Sequence, residues 1–290
     1  MRTHRHRTGS PERPGSFGQQ SKFQRQTSWL RLALSAFEQV ARRQQDCHLQ
    51  FGPYSVSLAK TDNDRRAAFR LRFQVFNLEL NEGLERARET GEDTDEFDAF
   101  CDHLIVRDKE TDSVVGTYRL QTGVSAMRNL GFYSAREFDF APYDSMASQM
   151  VELGRACIHP DHRKYEVLML LWKAITRYAV QRRSRYLIGC SSLTSQDPLV
   201  GSATYESLKP MLAPEHLRTL PTEPYGFTLP ETARPLRPPK LLRGYLAMGA
   251  NVCGPPALDR EFKTIDFLTL MDLNNLTPGK QKALTGNVNW

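Results

Sequence analysis

Residues 151–175, VELGRACIHPDHRKYEVLMLLWKAI, constrain the fold of this 290-residue chain more than any other segment. They begin with eight residues typical of a strand, continue through a turn and end in an amphipathic helix. The apolar stripe of that helix comprises Val167, Leu170, Leu171, Ala174, Ile175, Tyr178 and Ala179. A further strand-like run follows at residues 185–193, so the segment predicts a crossover connection above a sheet.

Two charged residues, Glu152 and Arg155, interrupt the otherwise apolar or small strand 151–158. Such charges are rarely buried unless they are paired. They are three residues apart, so a regular strand would direct them to opposite faces. A bulge at Gly154 would bring both to one side, splay the strand from its neighbour and leave backbone N–H groups available to polarise a carbonyl. A structural salt bridge is the alternative interpretation.

The remaining elements predict a mixed sheet. Residues 54–60 alternate as a strand, Asp62 or Asp64 caps a helix, and residues 103–120 form a hairpin. Antiparallel and crossover connections together indicate an α/β (α+β) fold. Beyond Ser195 come a Pro-rich stretch, a helix at 241–250 and a strand at 266–273. Too little apolar sequence follows the prolines to form a separate core, so we assign this tail to the same domain.

Composition limits the class of protein. Hydrophobic residues make up 40% and charged residues 25%, and no apolar run approaches the roughly 20 residues needed to span a bilayer. The five cysteines are odd in number and form no C-x-x-C motif, which favours a reduced cytosolic protein without a disulfide framework or zinc site. The net charge of +6 suggests an acidic partner, and nucleic acid, anionic lipid and an acidic carrier protein all remain open.

Residues 1–50 form a basic arm that precedes the predicted domain of residues 51–290. Within the arm, residues 29–40 carry an apolar stripe at helical spacing with arginines around it. Three interpretations remain open: a helix packed on the domain, a helix lying on anionic lipid, and a transit peptide.

Further polar residues could carry chemistry. For Arg72 the pattern favours a solvated helix arginine. Asp95 and Asp98 would share one face of a helical turn, where paired carboxylates can bind a cation, although a solvated acidic loop is the commoner outcome. Arg119 ends an apolar strand and could hold a carboxylate, and a partly exposed strand residue paired with a neighbour is the alternative.

A metal site and a covalent thiol are both disfavoured. His159 and His162 lack a third ligand at sensible spacing, and Cys157 has no evident base partner.

These segments together resemble a known family. LRFQVF, EDTDEFDAFCDHLIVRD, VVGTYRL, FYSAREFDF and VELGRACIHPDHR occur in the order found in the hemolysin-like branch of the GNAT acyltransferases, which includes N-acyltransferases that make N-acyl amino acids and lyso-ornithine lipid. More distantly they resemble the acyl-homoserine-lactone synthases. The matching positions are Arg72, Asp95, Asp98, Arg119, Glu152 and Arg155. The resemblance covers residues 69–192, with a weaker likeness at 241–270.

The resemblance implies a GNAT-like mixed central sheet with splayed strands 4 and 5, helices on both faces and an extended C-terminal tail. The acyl thioester would lie between residues 151–158 and 186–191. Glu152 would accept the proton of the attacking amine, backbone N–H groups near Gly154 and Ala156 would stabilise the oxyanion, and Arg119 and Arg155 would hold the acceptor carboxylate or shape the site.

The implied substrate-binding set is Arg72, Asp95, Asp98 and Ser191. Within it, Asp95 and Asp98 would hold a cationic group such as the side chain of ornithine.

The implied donor is a phosphopantetheine thioester as co-substrate, with no other cofactor and no metal. The turn 162–165 lacks the glycines that cradle the diphosphate of coenzyme A in other members. An acidic acyl carrier protein therefore fits better, with Arg163, Lys164 and Arg177 as its contacts. A solvated helix face is the alternative for these bases.

We therefore expect an enzyme that moves a long-chain acyl group from acyl carrier protein to an amino acid. It would be cytoplasmic, in peripheral contact with the anionic inner face of the membrane, and would bind no nucleic acid. Two alternatives remain open: an acyl-homoserine-lactone synthase that uses S-adenosylmethionine, and a non-enzymatic membrane-binding protein.

Overall fold

A computed structural model describes residues 47–231 and 234–285 of the chain. The predicted amphipathic helix of the basic arm lies outside these residues. Strand β1 (Leu49–Phe51) crosses the boundary predicted between residues 50 and 51 and pairs with β2 (Tyr54–Leu58).

The other strands of the described residues are β3 (Asp102–Asp108), β4 (Val114–Thr122), β5 (Met150–Ile158), β6 (Tyr186–Leu193), β7 (Asn251–Val252), β8 (Ala257–Asp259) and β9 (Thr264–Asp272). The α-helices are α1 (Asp62–Arg72), α2 (Ala87–Thr90), α3 (Gly123–Arg128), α4 (Tyr165–Gln181), α5 (Pro198–Leu208), α6 (Lys240–Met248) and α7 (Pro278–Thr285). A π-helix, Phe73–Glu79, continues α1.

The start of α1 corrects one detail of the prediction. Thr61 is the N-cap, and Asp64 completes a capping box by accepting from the backbone N–H of Thr61. The hydroxyl of Thr61 in turn accepts from the backbone N–H of Asp64, which satisfies donors that the first helical turn leaves unpaired.

All nine strands of the described residues belong to one sheet, ordered β1-β2-β3-β4-β5-β6-β9-β7, with β8 also paired to β9. The β5–β6 pair is parallel and α4 makes its crossover, whereas the other pairs are antiparallel. This confirms the predicted mixed sheet. The strand predicted in the C-terminal tail is β9, which pairs with β6 over eight residues and so belongs to the same domain.

Helices cover both faces of the sheet. Leu104 and Val106 of β3 share a buried cluster with the apolar stripe of α4, including Val167. The intervening His103 points the other way and meets the ring of Phe69 on α1 at 5.2 Å. Alternation along β3 thus places α1 and α4 on opposite faces, which brings the end of α1 to the side where Asp98 also lies.

Candidate active site

A β-bulge distorts β5 at the centre of the site. Thr117 of β4 is opposite Cys157 and Arg119 is opposite Gly154, so Arg155 and Ala156 together face the one residue between them on β4. The bulge was predicted at Gly154 and lies one residue further on. Arg155 takes the left-handed backbone conformation with φ of 49°, which is uncommon outside glycine and strains the chain at this point.

Strands β5 and β6 separate beyond Glu152, as predicted. Their parallel pairing covers Met150, Val151 and Glu152 and then ends. A cavity of about 290 Å³ opens between them, lined by residues 153–156 of β5 and 187–192 of β6. Gly189 allows β6 to lie close to β5 just before the strands separate, because a Cβ at this position would lie 2.2 Å from the carbonyl oxygen of Leu153.

The Glu152 side chain is buried at the point where the strands separate. Its two carboxylate oxygens accept hydrogen bonds from the backbone N–H groups of Tyr133, at 2.8 Å, and Ser134, at 2.7 Å. Burial raises the pKa of Glu152 and outweighs the opposing effect of these hydrogen bonds. A carboxylate with a raised pKa in a cavity wall can take up a proton more readily than a solvated one.

Arg72, for which the pattern favoured a solvated side chain, is fully buried. Its guanidinium donates to both oxygens of Asp98 at 2.9 Å, and its Nε donates to Asp93 at 2.8 Å. The prediction failed because helical periodicity does not reveal that a buried acidic turn packs against the end of α1.

Arg119 and Arg155 complete this network. Nη1 of Arg119 donates to both oxygens of Asp95 at 2.6 and 2.7 Å, and Nη2 of Arg155 donates to Asp95 at 2.8 Å. Burial opposes ionisation of Asp95 and Asp98, yet the neighbouring arginines lower the pKa of both. The spacing predicted that Asp95 and Asp98 share one face of a helical turn. A short helical turn is present, and Asp95 is its N-cap while Asp98 lies within it.

The network joins three arginines to three aspartates, since Arg155 also lies 3.4 Å from Asp93. The cations held by Asp95 and Asp98 here are thus the protein's own guanidinium groups. The contact of Asp95 and Asp98 with a cationic group of the substrate stays a prediction.

A second cavity of about 70 Å³ adjoins the first. Arg119, Arg155 and Glu152 line it, together with residues that the sequence analysis missed: Gln121, Tyr133, Ser134, Cys190, Ser192, Asp259, Phe262, Thr264 and Asp266. Asp266 carried the same signal as Glu152, a carboxylate inside an apolar strand. The others come from loops and strands whose local patterns are ordinary.

The candidate donor residues lie on the surface. Arg163 donates to Glu79 at 2.7 Å, and Lys164 precedes α4 at its N-terminus, where no side chain caps the helix. Arg177 is exposed roughly 20 Å further along α4, given a rise of about 1.5 Å per residue. Ser191 is buried against the larger cavity, and its hydroxyl has no hydrogen-bond partner among the described residues.

His159 and His162 each have a contact other than a metal. His159 lies 3.0 Å from the amide nitrogen of Gln74, and His162 lies 3.0 Å from the hydroxyl of Tyr54. Burial raises the pKa of the Cys157 thiol, which keeps it protonated.

Splayed strands with a bulge and a cavity between them define an acyltransferase of the GNAT fold. The family model that matches residues 71–173 is described as an acetyltransferase (GNAT) domain. The chain is 31% identical over 251 residues to an L-ornithine N(alpha)-acyltransferase of Rhodobacter capsulatus, covering 81% of this chain and 96% of that one. It is 29% identical over 263 residues to the enzyme of that name from Agrobacterium fabrum, with coverages of 84% and 89%. The chain belongs to the L-ornithine N(alpha)-acyltransferase family.

Among solved structures, the AHL synthase LasI is similar with a TM-score of 0.48 and 15% identity, covering 82% of this chain and 97% of that one. FeeM, an N-acyl amino acid synthase from uncultured soil microbes, has a TM-score of 0.47 and 12% identity, with coverages of 79% and 97%. Across the described residues, no helix combines the length and the apolar character that a membrane crossing requires.

Proposed function

We propose that this enzyme transfers a long-chain acyl group from acyl carrier protein to the α-amino group of L-ornithine. The acceptor follows from the named activity of the relatives, which the chain matches along most of their length. The observation that carries the reaction is the position of Glu152, which lines the smaller cavity and directly precedes Leu153, Gly154 and Arg155, the residues of β5 that line both cavities.

The larger cavity suits the acyl thioester. Its inner wall includes the aromatic side chains of Tyr118, Trp172 and Tyr245 and the apolar side chain of Met271. Tyr118 and Tyr245 hydrogen-bond through their hydroxyls. An acyl tail in this space would leave water for an apolar surrounding, which favours long chains over short ones.

The smaller cavity suits the amino acid. Its α-carboxylate would bind Arg119 and Arg155, whose guanidinium groups line the wall. The α-amine would then attack the thioester carbonyl carbon. A C–N bond forms, Glu152 accepts a proton from the nitrogen, and the C–S bond breaks to release the phosphopantetheine thiol, which takes up a proton.

Backbone N–H groups at Gly154 and Ala156 would stabilise the oxyanion, since both residues line the larger cavity beside the bulge. Arg72, Asp93, Asp95 and Asp98 would act behind them, because their ion pairs hold Arg119 and Arg155 in place. This positioning role accounts for the buried pairs without requiring that Asp95 or Asp98 touch the substrate.

The carrier protein would dock on the basic surface at the start of α4. Arg163 and Lys164 are exposed beside the turn, where they can meet the single phosphate and the acidic body of a carrier protein. The basic residues of the N-terminal arm would add peripheral contact with anionic lipid, to which an N-acyl amino acid product is delivered.

The test is acylation by the purified full-length protein. Palmitoyl-acyl carrier protein and L-ornithine are incubated with it, and the product is identified by mass spectrometry. N-palmitoyl-ornithine acylated at the α-nitrogen is expected. Transfer to homocysteine- or methionine-derived acceptors but to no amino acid, or no transfer at all, would overturn the proposal.

A further inference from the structure

A group of buried carboxyl groups in and behind the wall of the smaller cavity has no ion pair with a basic residue among the described residues. Asp259 and Asp266 line the cavity. A carboxylate oxygen of Glu137 lies within 4.8 Å of a carboxylate oxygen of Asp266 and of the sulfur of Cys190. All three carboxylates are less than 5% exposed. No ion pair joins any of them to a described lysine, arginine or histidine.

The arginines of the cavity do not neutralise this group. Arg119 and Arg155 are paired with Asp93, Asp95 and Asp98. With Arg72, three arginines face three aspartates, so the charges of this network cancel. The carboxyl groups of Asp259, Asp266 and Glu137 therefore lie outside this balance. Burial raises the pKa of both Glu137 and Asp266, which hydrogen-bond to each other, so this pair retains a proton as long as no cation neutralises its negative charge. Burying such charge is costly unless a cation joins it.

Unsatisfied polar atoms in the same wall point to a ligand. Gln121 is 2% exposed and lines the cavity, yet neither its amide oxygen nor its amide nitrogen has a hydrogen-bond partner. Oδ1 of Asp266 and Oε1 of Glu137 also lack partners. Buried polar groups in folded proteins are seldom left unsatisfied, so several in one wall indicate a site completed by a bound molecule.

We infer that Asp266 and Glu137, assisted by Asp259 and Gln121, bind the side-chain ammonium group of the acceptor amino acid. The inference rests on the proposed function and assigns its specificity for a diamino acid. The cavity then has two ends: guanidinium groups for the α-carboxylate, and carboxylates for the distal amine. Glu152 lies in the same wall, where it can meet the α-amine.

The contacts along this wall are continuous. Glu152 accepts from the backbone N–H of Ser134, and the hydroxyl of Ser134 lies 3.4 Å from the sulfur of Cys190. That sulfur lies 3.5 Å from Oε2 of Glu137. Glu152 and Asp266 both line the smaller cavity, so an ornithine whose α-amine lies at Glu152 would extend its side chain within the same cavity toward Asp266.

A monovalent ammonium fits this group better than a metal ion. Burial raises the pKa of the Cys190 thiol, so a metal ion would have to displace its proton, whereas an ammonium group would not. The guanidinium groups that line the same cavity suit an amino acid, which carries a carboxylate at its other end.

The first test needs no variant. The wild-type protein is assayed with palmitoyl-acyl carrier protein and either L-ornithine or L-norvaline, which has the same carbon skeleton without the side-chain amine. We expect kcat/KM to favour ornithine by about 10²-fold or more, because the analogue leaves buried polar groups unpaired. Equal use of the two acceptors would overturn the inference and leave the acyltransferase function intact. Acylation of neither would overturn the proposed function, and this inference with it.

Variants then locate the subsite. Asp266→Asn and Glu137→Gln should each raise the KM for ornithine about tenfold or more while changing the KM for norvaline little. Glu215→Gln, at an exposed position, is the matched control and should change neither. Equal losses with both acceptors in a folded variant would assign these residues a structural role instead. If a variant does not fold, the wild-type comparison decides.

A metal measurement completes the test. Elemental analysis of the purified wild-type protein should show no stoichiometric transition metal, and chelator treatment should leave the ornithine KM unchanged. A bound metal that is lost in Asp266→Asn would show that the carboxylates form a metal centre and would overturn the ammonium assignment.

Discussion

One guanidinium nitrogen of Arg119, Nη1, lies between the two carboxylate oxygens of Asp95, at 2.6 and 2.7 Å. Asp95 receives a second arginine, Arg155, from the bulged strand. An ion pair buried this deeply contributes little net stability by itself, but losing one partner leaves a charge stranded away from water. The network thus fixes both arginines at the cavity wall, and its disruption should be detectable in folding as well as in catalysis.

Asp98→Asn should destabilise the fold by about 3 kcal/mol or more, because it removes a buried carboxylate that Arg72 and Arg119 share and leaves only Asp93 to balance Arg72. The pKa of Asp98 is lowered below its ordinary 3.8, so its contribution is fully present above about pH 4 and is lost as the pH falls toward the lowered value. Urea denaturation of both proteins at several pH values measures this. The exposed Asp144→Asn serves as control, and equal acid sensitivity of Asp98→Asn and the wild type would contradict the assignment.

Glu152→Gln should lower kcat by about 10²–10⁴-fold, the usual loss when a general base is removed. Stability should change much less, since glutamine keeps one acceptor for the N–H groups of Tyr133 and Ser134. Steady-state kinetics and thermal denaturation separate the two effects.

The wild-type pH profile offers a second check on Glu152. Because burial raises the pKa of this group, kcat/KM should rise with pH through a value above the ordinary 4.5 of glutamate. A folded Glu152→Gln protein with near-normal turnover would make Glu152 structural.

Gly189→Ala should destabilise the protein by about 1–3 kcal/mol, because a Cβ would overlap the carbonyl of Leu153 where β5 and β6 are closest. Gly244→Ala in α6 is the matched control, since no atom lies within 4 Å of its Cβ position. That change should be neutral or stabilising by up to about 1 kcal/mol. Thermal denaturation compares the two, and similar melting temperatures would show that the strands can separate further at no cost.

Reversal of Arg163, Lys164 and Arg177 to glutamate should raise the KM for acyl carrier protein and weaken its salt dependence. Arg163 is already paired with Glu79, so Lys164→Glu and Arg177→Glu should also be measured singly. Arg128→Glu, exposed on α3, is the control. Palmitoyl-coenzyme A used as well as the carrier protein, with no effect of the reversals, would defeat the carrier-protein proposal.

A chain that begins at Cys47 should fold and should still acylate ornithine, because β1 and the buried Cys47 lie within the sheet domain. It should lose affinity for anionic vesicles, since each basic residue near such a surface contributes about 1 kcal/mol. Vesicle co-sedimentation and thermal denaturation of the two chains test this. Unchanged vesicle binding would remove the lipid-anchor proposal, and aggregation of the shorter chain would indicate that the arm covers an apolar groove.

The sequence by itself determined the order of the main strands and helices. Its family resemblance singled out every member of the Arg–Asp network except Asp93. Local periodicity reports burial, so the stripe of α4, the 103–120 hairpin and the strand after the prolines were all predictable. The charges at Glu152 and Arg155 were conspicuous for the same reason, since they interrupt an apolar run, and their spacing indicated a bulge.

Only the tertiary structure decided where the bulge lies and which charges meet. The bulge falls on Arg155, whose guanidinium pairs with Asp95, a residue sixty positions away along the chain. The burial of Arg72 depends on an acidic turn more than twenty residues away. Asp266 reaches the cavity because β9 inserts beside β6, a pairing that no local pattern encodes. Periodicity is set by neighbours along the chain, whereas the charge balance of a site is set by strand order in space.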